Sequence, residues 1–367
     1  MRTYTCGACG HRVYFENISC VRCGHMLGFD AERLEVVTLT ASGQNDEYIQ
    51  IARHEPAQSY RFCLNAGHGV CNWLAPKTGG AELCVACSLN RTIPNLQEPG
   101  NLAAWGEFEL AKKRLIYQLL RFGLPVDATH IGRHKLTFDF ARDTTTGHLD
   151  GVISVDMLEA DSVWREQQKQ LFQEPYRSLL GHLRHESGHF YWMLLVEGTG
   201  HLDRFRSLFG DDTLDYSNAL ASYHDTGPVA NWQELHVSAY ACAHPWEDWA
   251  ETWAHYLHMV DALDTSEEWG LEPRARGLVF GSFWPFKISD IYREETFEAL
   301  MERWIPLTLS LNSLSRSMGH ADYYPFVISD PVRKKLGFVH EVIRNGGAQL
   351  GQRTTATPRR PRRSKAR

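Results

Sequence analysis

The amino-acid sequence predicts an α+β fold in two unlike parts, and three observations carry that prediction. Eight of the nine cysteines lie before residue 90, in a stretch rich in turn residues whose regular signals are short β-like runs, Glu35 to Leu39 and Tyr48 to Ala52. Beyond Pro94 and Pro99 come long segments with apolar residues three and four apart, the period of a helix buried on one face. Among these helices sit two strand-like stretches, Lys135 to Phe140 and His148 to Met157. At 367 residues, 43% hydrophobic and 22% charged, the chain can fill two or three domains and is too apolar to be disordered.

In chain order, Asn101 is placed to cap a helix from Leu102 to about Phe122, with Leu110, Leu115 and Leu119 on its apolar face and Gly123 and Pro125 to stop it. A polar turn at Asp143 to Gly147 separates the two strands. In the second, Leu149, Gly151, Ile153, Val155 and Met157 alternate with Asp150, Val152, Ser154 and Asp156. Two long helices follow, Pro175 to about Val196 and Pro245 to about Leu263, each with proline in the first turn, where its missing N–H costs nothing. Ile291 to Trp304 and Leu307 to Met318 read as further helices. After Gly351 the composition is that of a disordered basic tail. The expected division is a cysteine-rich module over 1–97, a second domain over 98–350 and the tail over 351–367.

No apolar run approaches the roughly 18 residues that a bilayer helix needs. The opening residues, MRTYTCGACGHRV, hold no apolar signal core. A cytoplasmic, reducing location is therefore expected, and the cysteines are read for metal before disulfide. The net charge is −6 although the tail carries seven basic residues and no acid, so the body is more acidic than the total suggests. That counts against a nucleic-acid partner.

Cys6 and Cys9 form one C-x2-C knuckle and Cys20 and Cys23 another, each followed by glycine (Gly10, Gly24) that lets backbone amides turn toward the thiolates. Four thiolates at this spacing close a tetrahedral structural zinc site. Residues 4 to 28 resemble a zinc ribbon, which implies a structural module and a surface able to dock a protein partner. Cys63, Cys71, Cys84 and Cys87 offer a second zinc site, with His68 as a substitute ligand; the plainer reading is four buried cysteines in a small core. Cys242 stands apart and reads as a small buried apolar residue.

His185, Glu186 and His189 make H-E-x-x-H. On a helix the two imidazoles, four residues apart, reach one ion, and Glu186 sits where it can deprotonate a water held there. A hydrolytic zinc needs a third protein ligand and an open position. The stretch HPWEDWAETWAHYLH sets Glu247, Glu251, His255 and His258 along a helix that also shows apolar Trp246, Trp249, Trp253 and Leu257 and so reads as otherwise buried. Buried carboxylates are costly without a cation. The residues themselves do not rank Glu247 over Glu251, and His255 and His258 stay open as ligands.

HESGH followed by a helix of the form E-D-x-A-E-x-x-A resembles the zincin metallopeptidases whose third ligand is a glutamate. With the ribbon, EPYRSLLGHLRHESGHFYW and HPWEDWAETWAHYLH, the chain is similar over nearly its whole length to a bacterial family of zinc-binding metallopeptidases. The resemblance implies a zincin-like peptidase domain behind the ribbon module, hydrolysing peptide or protein substrates with one catalytic zinc and one or two structural ones. It implies zinc held by His185, His189 and Glu247, Glu186 as general base, and Glu251 orienting a ligand histidine. Tyr240 is the expected oxyanion donor, with His236 and Tyr223 as rivals. Substrate would add as a strand along His148 to Met157, with Glu159, Asp161, His182 and Arg184 nearby as supporting or merely solvated groups. Two other functions compete: a catalytically inactive zinc-binding adaptor, in which His255 or His258 closes the ion's shell, and a DNA-associated protease relying on the basic tail.

Overall fold

The structure is a computed structural model and describes residues 2–354 apart from 44–45, 52–57, 78–79, 130–132, 143, 145, 172–173, 175–176 and 272–289; of residues 347–354 only the backbone is described. Strands β1 (Thr3–Thr5) and β2 (Arg12–Tyr14) form an antiparallel hairpin around the first cysteine knuckle. Gly10 and Gly24 each take a φ of 75°, and their amides return to the carbonyls of Cys6 and Cys20 at 2.8 Å. A Cβ would strain those turns. Next comes a four-stranded antiparallel sheet in chain order: β3 (Met26–Asp30), β4 (Glu35–Ala41), β5 (Tyr48–Gln50) and β6 (Ser59–Tyr60).

Helix α1 (Asn101–Arg121) joins the two parts. Phe15 and Phe29 of the cysteine-rich part pack with Tyr117 of α1 and also with Trp73, so one hydrophobic core runs through both. A three-stranded sheet follows in the order β7 (Thr137–Ala141), β9 (Val152–Asp156), β8 (Gly147–Leu149), with β7 parallel and β8 antiparallel to β9. The chain leaving the last cysteine knuckle extends this sheet beyond β7, through a bridge of Asn90 to Phe138 and the Arg91 amide on the Phe138 carbonyl at 2.8 Å.

The remaining elements are helical: α2 (Ser162–Leu171), α3 (Leu179–Leu195), α4 (Leu202–Phe209), α5 (Tyr216–Thr226), α6 (Pro245–Glu268), α7 (Phe297–Ser317) and α8 (Asp330–Thr354). Helices α3 and α6 pack closely because α3 offers small residues where they cross. The Cβ position of Gly188 lies 3.0 Å from Ala250 Cα. The indole N–H of Trp249 donates to the Gly188 carbonyl at 2.9 Å, and that of Trp253 to Ser187 Oγ at 3.1 Å.

Several elements differ from the sequence expectation for identifiable reasons. Asn101 is the first helical residue, not the cap; its side chain bonds the Asn95 carbonyl and Arg142, and Gly100, at φ 86°, precedes the helix. Helix α3 starts four residues later than expected, because Ser178 Oγ accepts from the Gly181 amide and so caps it; Pro175 lies outside the described residues. The stretch His148 to Met157 is a hairpin, not one strand: Asp150 and Gly151 turn the chain at positive φ, and Leu149 is 74% exposed. Its β9 half is the central strand, which leaves β8 as the edge. The helices expected on either side of Pro306 are one, α7, which starts at Phe297 and not at Ile291 because Thr296 caps it through the Ala299 amide and Ile291–Arg293 is a separate 3-10 turn. Burial of Leu300, Met301, Trp304 and Leu307 outweighs the one backbone hydrogen bond that proline removes. Helices α2, α4, α5 and α8 were not expected at all.

Candidate metal centres

In the cysteine-rich part, Cys6, Cys9, Cys20 and Cys23 converge, as do Cys63, Cys71, Cys84 and Cys87, all as free thiols. Sulfur separations are 3.6 Å for Cys6 and Cys23, and 3.7 Å for Cys9 and Cys20 and for Cys71 and Cys84. Disulfide sulfurs sit about 2.05 Å apart. Four sulfurs about 2.3 Å from a tetrahedral zinc would be separated by about 3.8 Å, so both sets fit a zinc ion. The second set is complete with its four cysteines, and His68 instead packs edge-on against Trp105. Crowding splits the thiols. Hydrogen bonds from Cys71 and its neighbours hold the Cys63 thiol far below its usual pKa, while burial pushes Cys84 up. A cation would let all four ionise together.

The Cys63 set is tied to the helical part by a buried charge pair. Cys87 Sγ is 3.7 Å from the Glu109 carboxylate, and Glu109 pairs with Lys112 at 2.6 Å, both side chains fully buried. Lys112 also donates to Asn90 and lies over the Phe138 and Phe140 rings.

The third cluster is formed by α3 and α6. His185 Nε2 is 3.0 Å from Glu247 Oε2, and His189 Nε2 is 3.5 Å from Glu247 Oε1. One ligand atom from each of the three residues lies within 4.8 Å of the others. Donors about 2.1 Å from a tetrahedral zinc are about 3.4 Å apart, so this set also fits. Glu247 is 1% exposed, and its Oε2 has no aligned hydrogen bond although His185 Nε2 lies 3.0 Å away, as expected of an oxygen and an imidazole nitrogen turned toward a shared cation. It occupies the first turn of α6, opened by the His244 cap on the Trp246 amide and by Pro245, where the helix dipole favours a carboxylate. Burial opposes its ionisation, yet the His189 and His185 imidazoles hold its pKa well below the usual carboxylate range.

Glu251, one turn further along α6, reaches the opposite edge of the His185 ring: Oε1 lies 2.6 Å from Nδ1, and Oε2 accepts from Ser238 Oγ at 2.6 Å. Glu186 is 9% exposed, and burial raises its pKa, partly offset by His185 and His189. The Tyr240 ring stands 6.0 Å from that of His185; burial and the Glu247 carboxylate raise the phenol's pKa, so it keeps its proton. Trp246, at 4.1 Å between ring centroids, walls off His189, and His148 of the edge strand stacks 6.1 Å from it. His148 Nε2 accepts the Gly151 amide at 3.1 Å, and burial lowers its pKa to about 3.

Other sequence candidates are engaged elsewhere. His255 pairs with the Tyr324 hydroxyl at 2.7 Å and His258 with Arg184 at 3.4 Å, so neither joins the His185 cluster. Arg184 is bound to Asp261 at 2.7 Å and Gln118 at 3.1 Å. Glu159 is held by Arg177 at 2.6 Å and faces His182 at 3.5 Å, while Asp161 caps α2 through the Val163 amide. His236 pairs with Asp248 at 3.0 Å, which also binds Lys335, and Tyr223 packs against Tyr240. Cys242 is only half-buried, because it sits in a short 3-10 turn before α6 and not in the core. Tyr216 is the residue that sequence reading missed: its hydroxyl donates to Glu247 Oε1 at 2.5 Å. Lying 31 residues before Glu247 on an unforeseen helix, it carried no local signal.

Comparison with known proteins gives the family. Residues 101–342 match the model of a family described as "Putative zinc-binding metallo-peptidase", and residues 3–98 match that of a zinc-ribbon domain. An uncharacterized protein of Mycobacterium bovis and two of Mycobacterium tuberculosis strains are each 39% identical over 349 residues, covering 94% of this chain and 95% of theirs. No solved structure matches.

Proposed function

Since the chain belongs to this family of zinc-binding metallopeptidases, we propose that it hydrolyses peptide bonds at the cluster formed by α3 and α6, with His185, His189 and Glu247 holding zinc. The observation that carries the reading is the meeting of those three side chains around a buried glutamate oxygen without a hydrogen-bond partner. Zinc bound there supplies a Lewis acid that polarises a carbonyl and makes water a nucleophile near neutral pH.

The chain's own residues do the rest. Glu186, between the two histidines on α3 and largely shielded from solvent, accepts the proton of the attacking water and returns it to the leaving amine. Glu251 accepts from His185 Nδ1, which fixes the tautomer that leaves Nε2 free to bind. Tyr240 holds its proton and donates it as a hydrogen bond to the oxyanion that develops on the carbonyl. An extended peptide pairs with the edge strand β8 beside His148, which brings its backbone across the middle of α3, where the histidines lie.

The test is Glu186→Gln in the full chain. The variant is expected to keep three zinc equivalents and to lose peptide turnover by about 10²- to 10⁴-fold. Turnover at the wild-type rate would reject Glu186 as the base.

A further inference from the structure

Glu247 has two oxygens, and the protein treats them differently. Oε2 is buried and faces His185 Nε2 at 3.0 Å without an aligned hydrogen bond, whereas Oε1, 3.5 Å from His189 Nε2, accepts from the Tyr216 hydroxyl at 2.5 Å, the short length typical of an O–H donor on a charged carboxylate. The Tyr216 ring stands between those of His244 and Trp246, at 5.3 and 5.6 Å. The chain just before it is pinned to the same end of α6, where His244 Nε2 meets the Leu214 carbonyl at 3.2 Å. Helix α5, which Tyr216 opens, buries none of its residues. Tyr216, itself half-buried, therefore reaches a fully buried acid from a helix that buries no residue of its own.

Resting on the zinc-site reading above, we infer that Tyr216 is a positioning residue that holds Oε1 of Glu247, so that this glutamate offers the ion one oxygen and not two. A carboxylate free to swing can take two coordination positions. One whose second oxygen is engaged takes one, which leaves room for water and substrate on a small tetrahedral ion. The same bond fixes the carboxylate plane against the two imidazoles before any ion arrives, and partners of this kind govern metal affinity about 10- to 100-fold.

Tyr216→Phe removes the hydroxyl and keeps the ring between His244 and Trp246. The full-length variant and wild type, each loaded with three zinc equivalents, are titrated with a chromophoric chelator weak enough to spare the cysteine-bound ions. Thermal unfolding is followed in parallel on protein retaining only those two and on protein retaining all three. The third equivalent is expected to bind 10- to 100-fold more weakly in the variant, and the three-zinc protein to lose more stability than the two-zinc protein. Unchanged affinity would overturn the inference, and so would an equal loss of stability in the two forms, which a purely structural tyrosine produces. If wild type itself holds only two ions, the zinc-site reading fails first and takes this one with it.

Discussion

Gly188, the glycine of HESGH, offers a sign test of how closely α3 and α6 must approach. A Cβ at this position would lie 3.0 Å from Ala250 Cα and 3.2 Å from both Cβ and Cδ1 of Trp253. The nearest atom is backbone, so it cannot swing aside, and the helices must part by a few tenths of an ångström. Overpacking of that kind costs about 1–3 kcal/mol. Against it stands the intrinsic gain of alanine over glycine inside a helix, about 1 kcal/mol. The balance is a net loss of roughly 1 kcal/mol for Gly188→Ala, where propensity alone forecasts a gain of the same size. Urea unfolding at a fixed excess of free zinc measures it, with both proteins required to show the same slope so that the midpoint reports stability. The spacings of 3.0 and 3.5 Å between the imidazoles and Glu247 should widen too, weakening the third zinc equivalent. A variant stabilised by about 1 kcal/mol, with unaltered zinc binding, would refute the close-contact argument.

Two other outcomes are expected. Lys112→Met leaves the Glu109 carboxylate buried beside Cys87 without its cation, so stability should fall by about 3–5 kcal/mol; adding Glu109→Leu should restore much of it in the double variant, and a single variant as stable as wild type would contradict the pairing. Exhaustive chelation should strip the ions from both four-cysteine sets and unfold the segment from Thr3 to about Asn90, seen as new protease sites there that vanish when zinc is restored; cysteine-rich segments that stay protease-resistant without metal would show that their core holds alone.

Much of this protein is local in the chain, and that is why it could be read. C-x2-C spacing forces two thiolates into one turn, so Cys6, Cys9, Cys20 and Cys23 announced their cluster. His185 and His189 share a face because of helical geometry, and Pro245 marks the start of α6. The errors share a cause as well. The alternation from Leu149 to Met157 persists through a tight turn because both arms of the hairpin have period two, so the pattern alone could not reveal that the chain reverses at Asp150 and Gly151. Pro306 looked like a boundary, since local rules assign its cost and only packing repays it.

What the sequence determined by itself was the kind of chemistry: eight cysteines in knuckle-bearing sets, an H-E-x-x-H helix and a second helix carrying acids among tryptophans. Which acid faces the imidazoles, which backs them and which tyrosine holds the acid were decided by tertiary structure. Glu247 and Glu251 are one turn apart and chemically alike. They differ only in where α6 lies against α3, a position set by Ser187 and Gly188 meeting Ala250, Trp249 and Trp253. That crossing places Glu247 beyond the Nε2 edge of His185 and Glu251 beyond the Nδ1 edge. Contacts between residues more than 60 positions apart leave no period in the chain, because their geometry exists only once both helices are packed.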